Sequence, residues 1–168
     1  MAEHDRIAEL ERRVAALEQH VDHNVPASTV DVAGDERFWA LHALQERLDP
    51  PGGVVFTGAV DLPPGEHVVW QWGNTTSDLL DRDWGSAAQR LAALAHPIRI
   101  ELLRHILRGV RSTAELAGLE TMGTTGQLYH HINQLTAAGW LHQVGRGRYA
   151  VPVERIVPLL VVLSATLP

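Results

Sequence analysis

A chain of 168 residues, 45% of them apolar, has material for one globular core or for a domain of about 80 residues with a smaller companion. The net charge of −6 is divided unevenly: residues 1–84 hold 6 Arg against 16 Asp and Glu, whereas residues 85–168 hold 8 Arg against 4 Glu. The absence of cysteine excludes disulfides, thiolate metal sites and cysteine nucleophiles, and no apolar run approaches the ~20 residues of a membrane span.

Glu3 and Asp5 stand where a secretory signal would be basic, so a cytoplasmic location is expected. Ile7, Leu10, Val14, Leu17 and Val21 then follow at alternating spacings of three and four, the period of a coiled-coil seam. With Ile7, Val14 and Val21 at position a and Leu10 and Leu17 at d, the pattern is the one that favours two parallel strands. Arg6 and Arg13 at g would face Glu11 and Glu18 at e of a second chain. Residues 1–24 are therefore expected to form an amphipathic, coiled-coil helix that contributes to dimerisation, although so short a seam is marginal alone. The same stripe would also serve a helix folded back on its own chain. Residues 25–36, with Pro26, Ser28, Thr29, Gly34 and Asp35, read as a linker.

Residues 37–84 are expected to hold a small helix and a β-hairpin. The helical pattern covers 38–48 and stops at the Asp-Pro-Pro-Gly-Gly run of 49–53. Two strand-like runs, 54–60 and 67–72, flank a turn at 61–65, and alternation places Val68, Trp70 and Trp72 on one face. A lone hairpin is marginal in water, so that face needs a cover: the preceding helix, the second half of the chain or another subunit. An aromatic-lined effector pocket is the sharper alternative. Residues 74–83 read as a polar connection.

From Ser86 the pattern is helical, with Ala87, Leu91 and Leu94 on one face, and it breaks at His96-Pro97. The next helix, 97–108, buries Ile98, Leu102, Leu103, Ile106 and Leu107, while Arg104, Arg108 and Arg111 follow at spacings of four and three, either as a phosphate-contacting stripe or as a solvated surface. Ser112-Thr113-Ala114-Glu115 and Thr124-Thr125-Gly126-Gln127 are two capping boxes, each an N-cap hydroxyl with Glu or Gln at the third helical position. They open a short helix and a longer one running to Ala138, with a glycine-containing turn between them, the arrangement of a helix-turn-helix.

In the longer helix Leu128, Ile132 and Leu135 form the buried stripe, which leaves Gly126, Gln127, His130 and Asn133 facing outward. Amide side chains without an acid among them suit the major groove, where Gln and Asn pair with adenine and carboxylates are repelled by phosphate. Residues 140–144 and 148–151 flank the tight turn Gly145-Arg146-Gly147. A hairpin with Arg146 and Arg148 directly after such a helix has the character of a wing.

The runs Leu91 to Ile100, Ser112 to Ala117, Leu128 to Leu135 and Ala138 to Leu141, in this order and spacing, resemble the ArsR/SmtB family over about half the chain. The resemblance implies a mainly α (α+β) fold, a winged helix-turn-helix domain at 85–168, and a dimeric repressor acting on double-stranded DNA at an inverted repeat. It implies that the helix 124–138 reads the operator, with Thr124, Thr125, Gly126, Gln127, Tyr129, His130 and Asn133 at the DNA, and that 140–151 is the wing. The first and last helices of the domain would form the homodimer interface through Leu91, Leu94, Ile156, Leu159, Leu160 and Leu163. Pro158 departs from that pattern and is expected only in the first turn of the last helix.

Many members of that family sense metals, but here the helix at 112–117 has no cysteine and residues 153–168 contain neither Asp nor His. No metal and no other cofactor is expected; His20, Asp22 and His23, or His130, His131 and His142, are the only substitutes to consider, and neighbouring His130 and His131 point about 100° apart on a helix. No catalytic triad, phosphate loop or zincin spacing is present, so an enzyme is not expected. The rival reading, suggested by the acidic first half, is a winged-helix interaction module that does not bind DNA. A small-molecule effector, the operator and the sense of regulation are not readable from the residues.

Overall fold

The computed structural model describes Arg12, Arg13, residues 36–63 and residues 65–167. The protein is an α+β protein divided into two compact units, Met1–Arg47 and Leu48–Pro168. The division falls after Arg47, not near Trp84, because the hairpin that follows is packed on the C-terminal helix.

In the first unit Arg12 and Arg13 are helical. The seam residues Ile7, Leu10, Val14, Leu17 and Val21 lie outside the described residues, as does nearly all of the expected linker. A 3-10 turn, Glu36–Phe38, leads into α1, Trp39–Gln45, shorter than the expected 38–48. Its end is closed by Arg47, whose Nη1 donates to the Ala43 carbonyl at 2.8 Å.

The second unit opens with β1, Gly53–Leu62, and β2, Glu66–Thr75, paired antiparallel from Gly53↔Thr75 to Leu62↔Glu66. Both strands outrun the alternating apolar stretches, since backbone pairing continues through Asp61, Gly73 and Asn74, whose side chains carry no apolar signal. Residues 74–83 are not a plain connection: Thr75 ends β2 and also caps α2, Thr76–Asp81, its hydroxyl oxygen accepting from the Asp78 amide at 3.1 Å. Val68 is buried and Phe56, Val60 and Trp70 are half-buried on the inward face, whereas Trp72, on the same face near the open end, is 51% exposed.

The helices that follow are α3, Gly85–Leu94; α4, Pro97–Leu107; α5, Thr113–Ala117; and α6, Thr125–Ala137. The strands β3, His142–Gly145, and β4, Arg148–Ala150, then pair antiparallel, and α7, Val153–Thr166, completes the unit. The α3–α4 corner is built locally. His96 caps α4 by accepting from the Ile98 amide at 3.2 Å, Pro97 takes the first helical position, and the Arg99 guanidinium caps α3 through the Ala92 and Ala93 carbonyls.

One core unites these helices: Leu102, Leu103, Ile106, Leu116, Met122, Leu128, Ile132, Leu135, Ile156 and Leu159 are almost fully removed from solvent. Each such side chain contributes about 1.5–3 kcal/mol of transfer free energy. Helix α7 begins at Val153, so Pro158 sits inside it and not in its first turn. The Pro158 ring leaves only the Glu154 carbonyl without its helical donor, and exposed Glu154 can give that carbonyl to water. The other side of α7 packs on the β1–β2 hairpin at Gly58, where an added Cβ would lie 2.8 Å from Val157 Cγ1. The hairpin is thus covered by the second half of its own chain. Among the described residues no helix is long and apolar enough to cross a membrane.

Candidate nucleic-acid interface

Both capping boxes form. Ser112 Oγ accepts from the Glu115 amide at 3.2 Å while the Ser112 amide donates to Glu115 Oε2, also at 3.2 Å. The Glu115 carboxyl is held below its ordinary range by its bonds to the Ser112 hydroxyl and amide, with a smaller contribution from the charge of Arg148. At α6, Thr124 Oγ1 accepts from the Gln127 amide at 3.3 Å, and the Thr124 amide donates to Gln127 Oε1 at 2.9 Å. Between the two helices a 3-10 turn, Glu120–Met122, drops Met122 into the core, and Gly123 turns the chain at φ +70°, where L side chains are rarely found. A Cβ on Gly123 would also stand 2.5 Å from Gln127 Oε1.

Helix α6 divides as its periodicity requires. Leu128, Ile132 and Leu135 are fully buried, and Thr125, Gly126, Tyr129, His130 and Asn133 are exposed. Open space surrounds the Gly126 Cα, so a ligand can approach the backbone there. Gln127 departs from expectation. Its side-chain oxygen is taken by the Thr124 amide and hydroxyl, and a bidentate reading of adenine needs that oxygen together with the amide nitrogen. Gln127 therefore acts first as the cap of α6, with only its NH2 group left to offer.

The β3–β4 hairpin is fastened to the start of α5. The Thr113 amide donates to the Gly147 carbonyl at 2.8 Å, the Tyr149 amide donates to the Arg111 carbonyl at 2.9 Å, and Ser112 bridges to Arg148. Arg146 is exposed at the tip and Arg148 at its base. No Asp or Glu occurs from Thr121 to Val153, which takes in all of α6 and the hairpin. This stretch supplies two guanidinium groups and the N-terminal amides of α6 and no carboxylate of its own, although Arg148 lies within the field of the Glu115 carboxylate on α5.

The proposed arginine stripe is not continuous. Arg104 pairs with Glu101 at 2.6 Å, and Arg111 lies beyond the end of α4, forked onto Glu66 at 3.1 and 2.7 Å. Helix α4 stops at Leu107 and Gly109 turns the chain, so helical spacing no longer relates Arg111 to Arg104. Arg108 alone of the three is both exposed and without a carboxylate partner among the described residues. The Glu66 carboxyl is held low by its hydrogen bonds to Arg111.

Of the residues assigned to a dimer interface, Leu94, Ile156 and Leu159 spend their surface in the core of their own chain. Leu91 is 49% exposed, and Leu160 and Leu163 are half-buried. Sequence reasoning named His130 and His131 but missed the approach of His96 to the buried face of α6. The His131 ring is buried, 4.7 Å from the His96 ring and 5.7 Å from that of His130, and its Nδ1 has no hydrogen-bond partner among the described residues. Burial, then the charges of His96, His130 and Arg99, push its pKa below the ordinary value. The signal was present, since His131 stands three residues after Leu128 and four before Leu135, on the buried stripe. Among the described residues no three His, Cys, Asp or Glu side chains gather as metal ligands would. Comparison of the chain with protein-family models, curated proteins and solved structures found no match to any of them.

Proposed function

We propose that this protein is a cytoplasmic, non-enzymatic, DNA-binding transcriptional regulator of the ArsR/SmtB kind, in which residues 85–168 act as a winged helix-turn-helix. The observation that carries the reading is the stretch from Thr121 to Val153, free of Asp and Glu, which holds both the outward face of α6 and an arginine-tipped hairpin. In this reading α6 enters the major groove. Thr125 meets phosphate at the helix N-terminus, where Thr124 has given both its donors to Gln127; Asn133 and His130 reach base edges, and Tyr129 flanks them. Arg146 and Arg148 hold the backbone or the minor groove from the β3–β4 wing. Because Gln127 is engaged in its cap, Asn133 carries more of the base readout than the outward face alone implies.

The protein acts as a homodimer on an inverted repeat, as a repressor, with exposed Leu91 and half-buried Leu160 and Leu163 as the contacts its own core leaves over. The test is selection from random duplex DNA by the purified chain. Enrichment of an inverted repeat supports the reading, and an unenriched pool sinks it. Exposed Trp72 and Trp84 favour a second reading, an interaction module that keeps the fold without binding DNA, and the unenriched pool is its expected outcome.

A further inference from the structure

A groove of about 520 Å³ borders α3, the last turn of α6 and the first turn of α7, and the DNA-facing surface makes no use of it. Its polar lining includes Gln89, Arg90, Gln134 and Arg155, its apolar lining includes Ala93 and Ala138, and it contains no Asp or Glu. Buried Trp140 fixes the Arg90 backbone and the Arg155 side chain beside the groove. The indole Nε1–H donates to the Arg90 carbonyl at 2.9 Å, and the Arg155 guanidinium lies 5.7 Å from the centre of the indole ring. Arg99, Arg104 and Arg111 are all engaged by carbonyls or carboxylates, whereas neither the Arg90 nor the Arg155 guanidinium has a hydrogen bond or ion pair among the described residues.

Two like charges brought to one depression repel each other, and that cost is relieved by an anion between them. The planar guanidinium fork matches a carboxylate, the two glutamine amides add neutral donors, and the alanines leave an apolar floor for a small body. The volume lies within the usual range of ligand pockets, roughly 300–1,000 Å³. We propose that this groove is a binding site for a small organic carboxylate, held by Arg90 and Arg155 with its apolar part on Ala93 and Ala138. Such a ligand touches the end of α6 opposite to its capped N-terminus, so it alters DNA binding if it favours one seating of that helix over another. This regulatory part rests on the DNA-binding reading; the site does not.

The experiment is titration of the ¹⁵N-labelled full chain, followed by amide chemical shifts, with three probes: benzoate, benzylamine as the same ring with the opposite charge, and inorganic phosphate as the bare anion. Saturable benzoate shifts at Gln89, Ala93, Gln134 and Gly139 are expected, with benzylamine silent. The double variant Arg90→Gln, Arg155→Gln weakens benzoate by about tenfold or more, the loss of roughly one charge-assisted pair. Arg155→Lys keeps part of the affinity. Gln134→Glu, which places a carboxylate in the groove without touching the Trp140 contacts, abolishes binding even if the double variant proves unstable. Shifts that do not saturate, unchanged affinity in these variants, or benzylamine binding equal to benzoate would overturn the site. Phosphate binding as tight as benzoate overturns its assignment to an organic ligand. In a separate arm, a DNA affinity indifferent to saturating benzoate overturns the regulatory part alone, and a chain that binds no DNA fails the functional reading while the chemical shifts still decide the site.

Discussion

The two hairpins of this protein are held in opposite ways. In β1–β2, ten residues pair with ten, and one apolar face is pressed on α7 where Gly58 makes room for Val157. In β3–β4, four residues pair with three around a bulge, and the strands are steadied by backbone bonds to Arg111 and Thr113. The first is a packing element and the second an extension of the α5 entry. The second hairpin gives only Ala150 and part of Tyr149 to the core, which leaves Arg146 and Arg148 turned to solvent. A hairpin held by side chains has already spent one of its faces, and only Trp72 and Val54 toward its open end remain exposed there.

The strongest way to break this comparison is Gly58→Val. The added side chain has no room beside Val157 and is expected to cost about 1–3 kcal/mol by overpacking. Urea denaturation measures the loss, and the amide shifts of β3 and β4 should stay in place. If stability is unchanged, α7 does not hold the first hairpin.

Two substitutions sharpen the other side. Asn133→Ala is expected to cost about 1–3 kcal/mol on the selected DNA site and nothing on random sequence. Arg146→Ala should weaken all sequences alike and lower the slope of log affinity against log salt by about one. Fluorescence anisotropy on both duplexes, over a series of salt concentrations, reads the two effects. An Arg146 effect confined to the selected site would make the second hairpin a base reader and not a clamp.

Behind α6, His131 is disfavoured as a cation, so its folded pKa lies below the unfolded value of about 6.5. The unfolded chain then binds more protons in that window. Stability is fully present above about pH 6.5 and declines as pH falls from there toward the folded pKa. His131→Leu should flatten this dependence in denaturation curves collected between neutral and mildly acidic pH, and an unchanged slope would assign it to another group.

The smallest effect is expected from Glu66→Gln, which weakens the tether between the turn of the first hairpin and Arg111. The pair is partly exposed and screened, so about 0–1 kcal/mol is at stake. The folded pKa of Glu66 is lowered from 4.5, so its contribution is present above that pH and lost as pH falls through the folded value. A comparison of wild type and variant on the acid side of pH 5 isolates it.

The residues by themselves determined the two capped helices, the buried stripe Leu128, Ile132 and Leu135, the outward positions of His130 and Asn133, and the tight turn at Arg146. Each of these depends on neighbours within about four positions, through capping bonds, helical period or turn chemistry. Where one side chain had two local uses, the residues left the choice open. Gln127 is both on the outward face and at the third position of its helix, and the geometry of the cap claims its oxygen. Only the tertiary structure decided that Arg111 belongs to Glu66, 45 residues away, that the Trp140 indole bonds the Arg90 carbonyl across 50 residues, and that α7 keeps its helix through Pro158 while covering the first hairpin. Contacts at such separations leave no period in the sequence, because each is made once, between surfaces that meet only after the chain has folded.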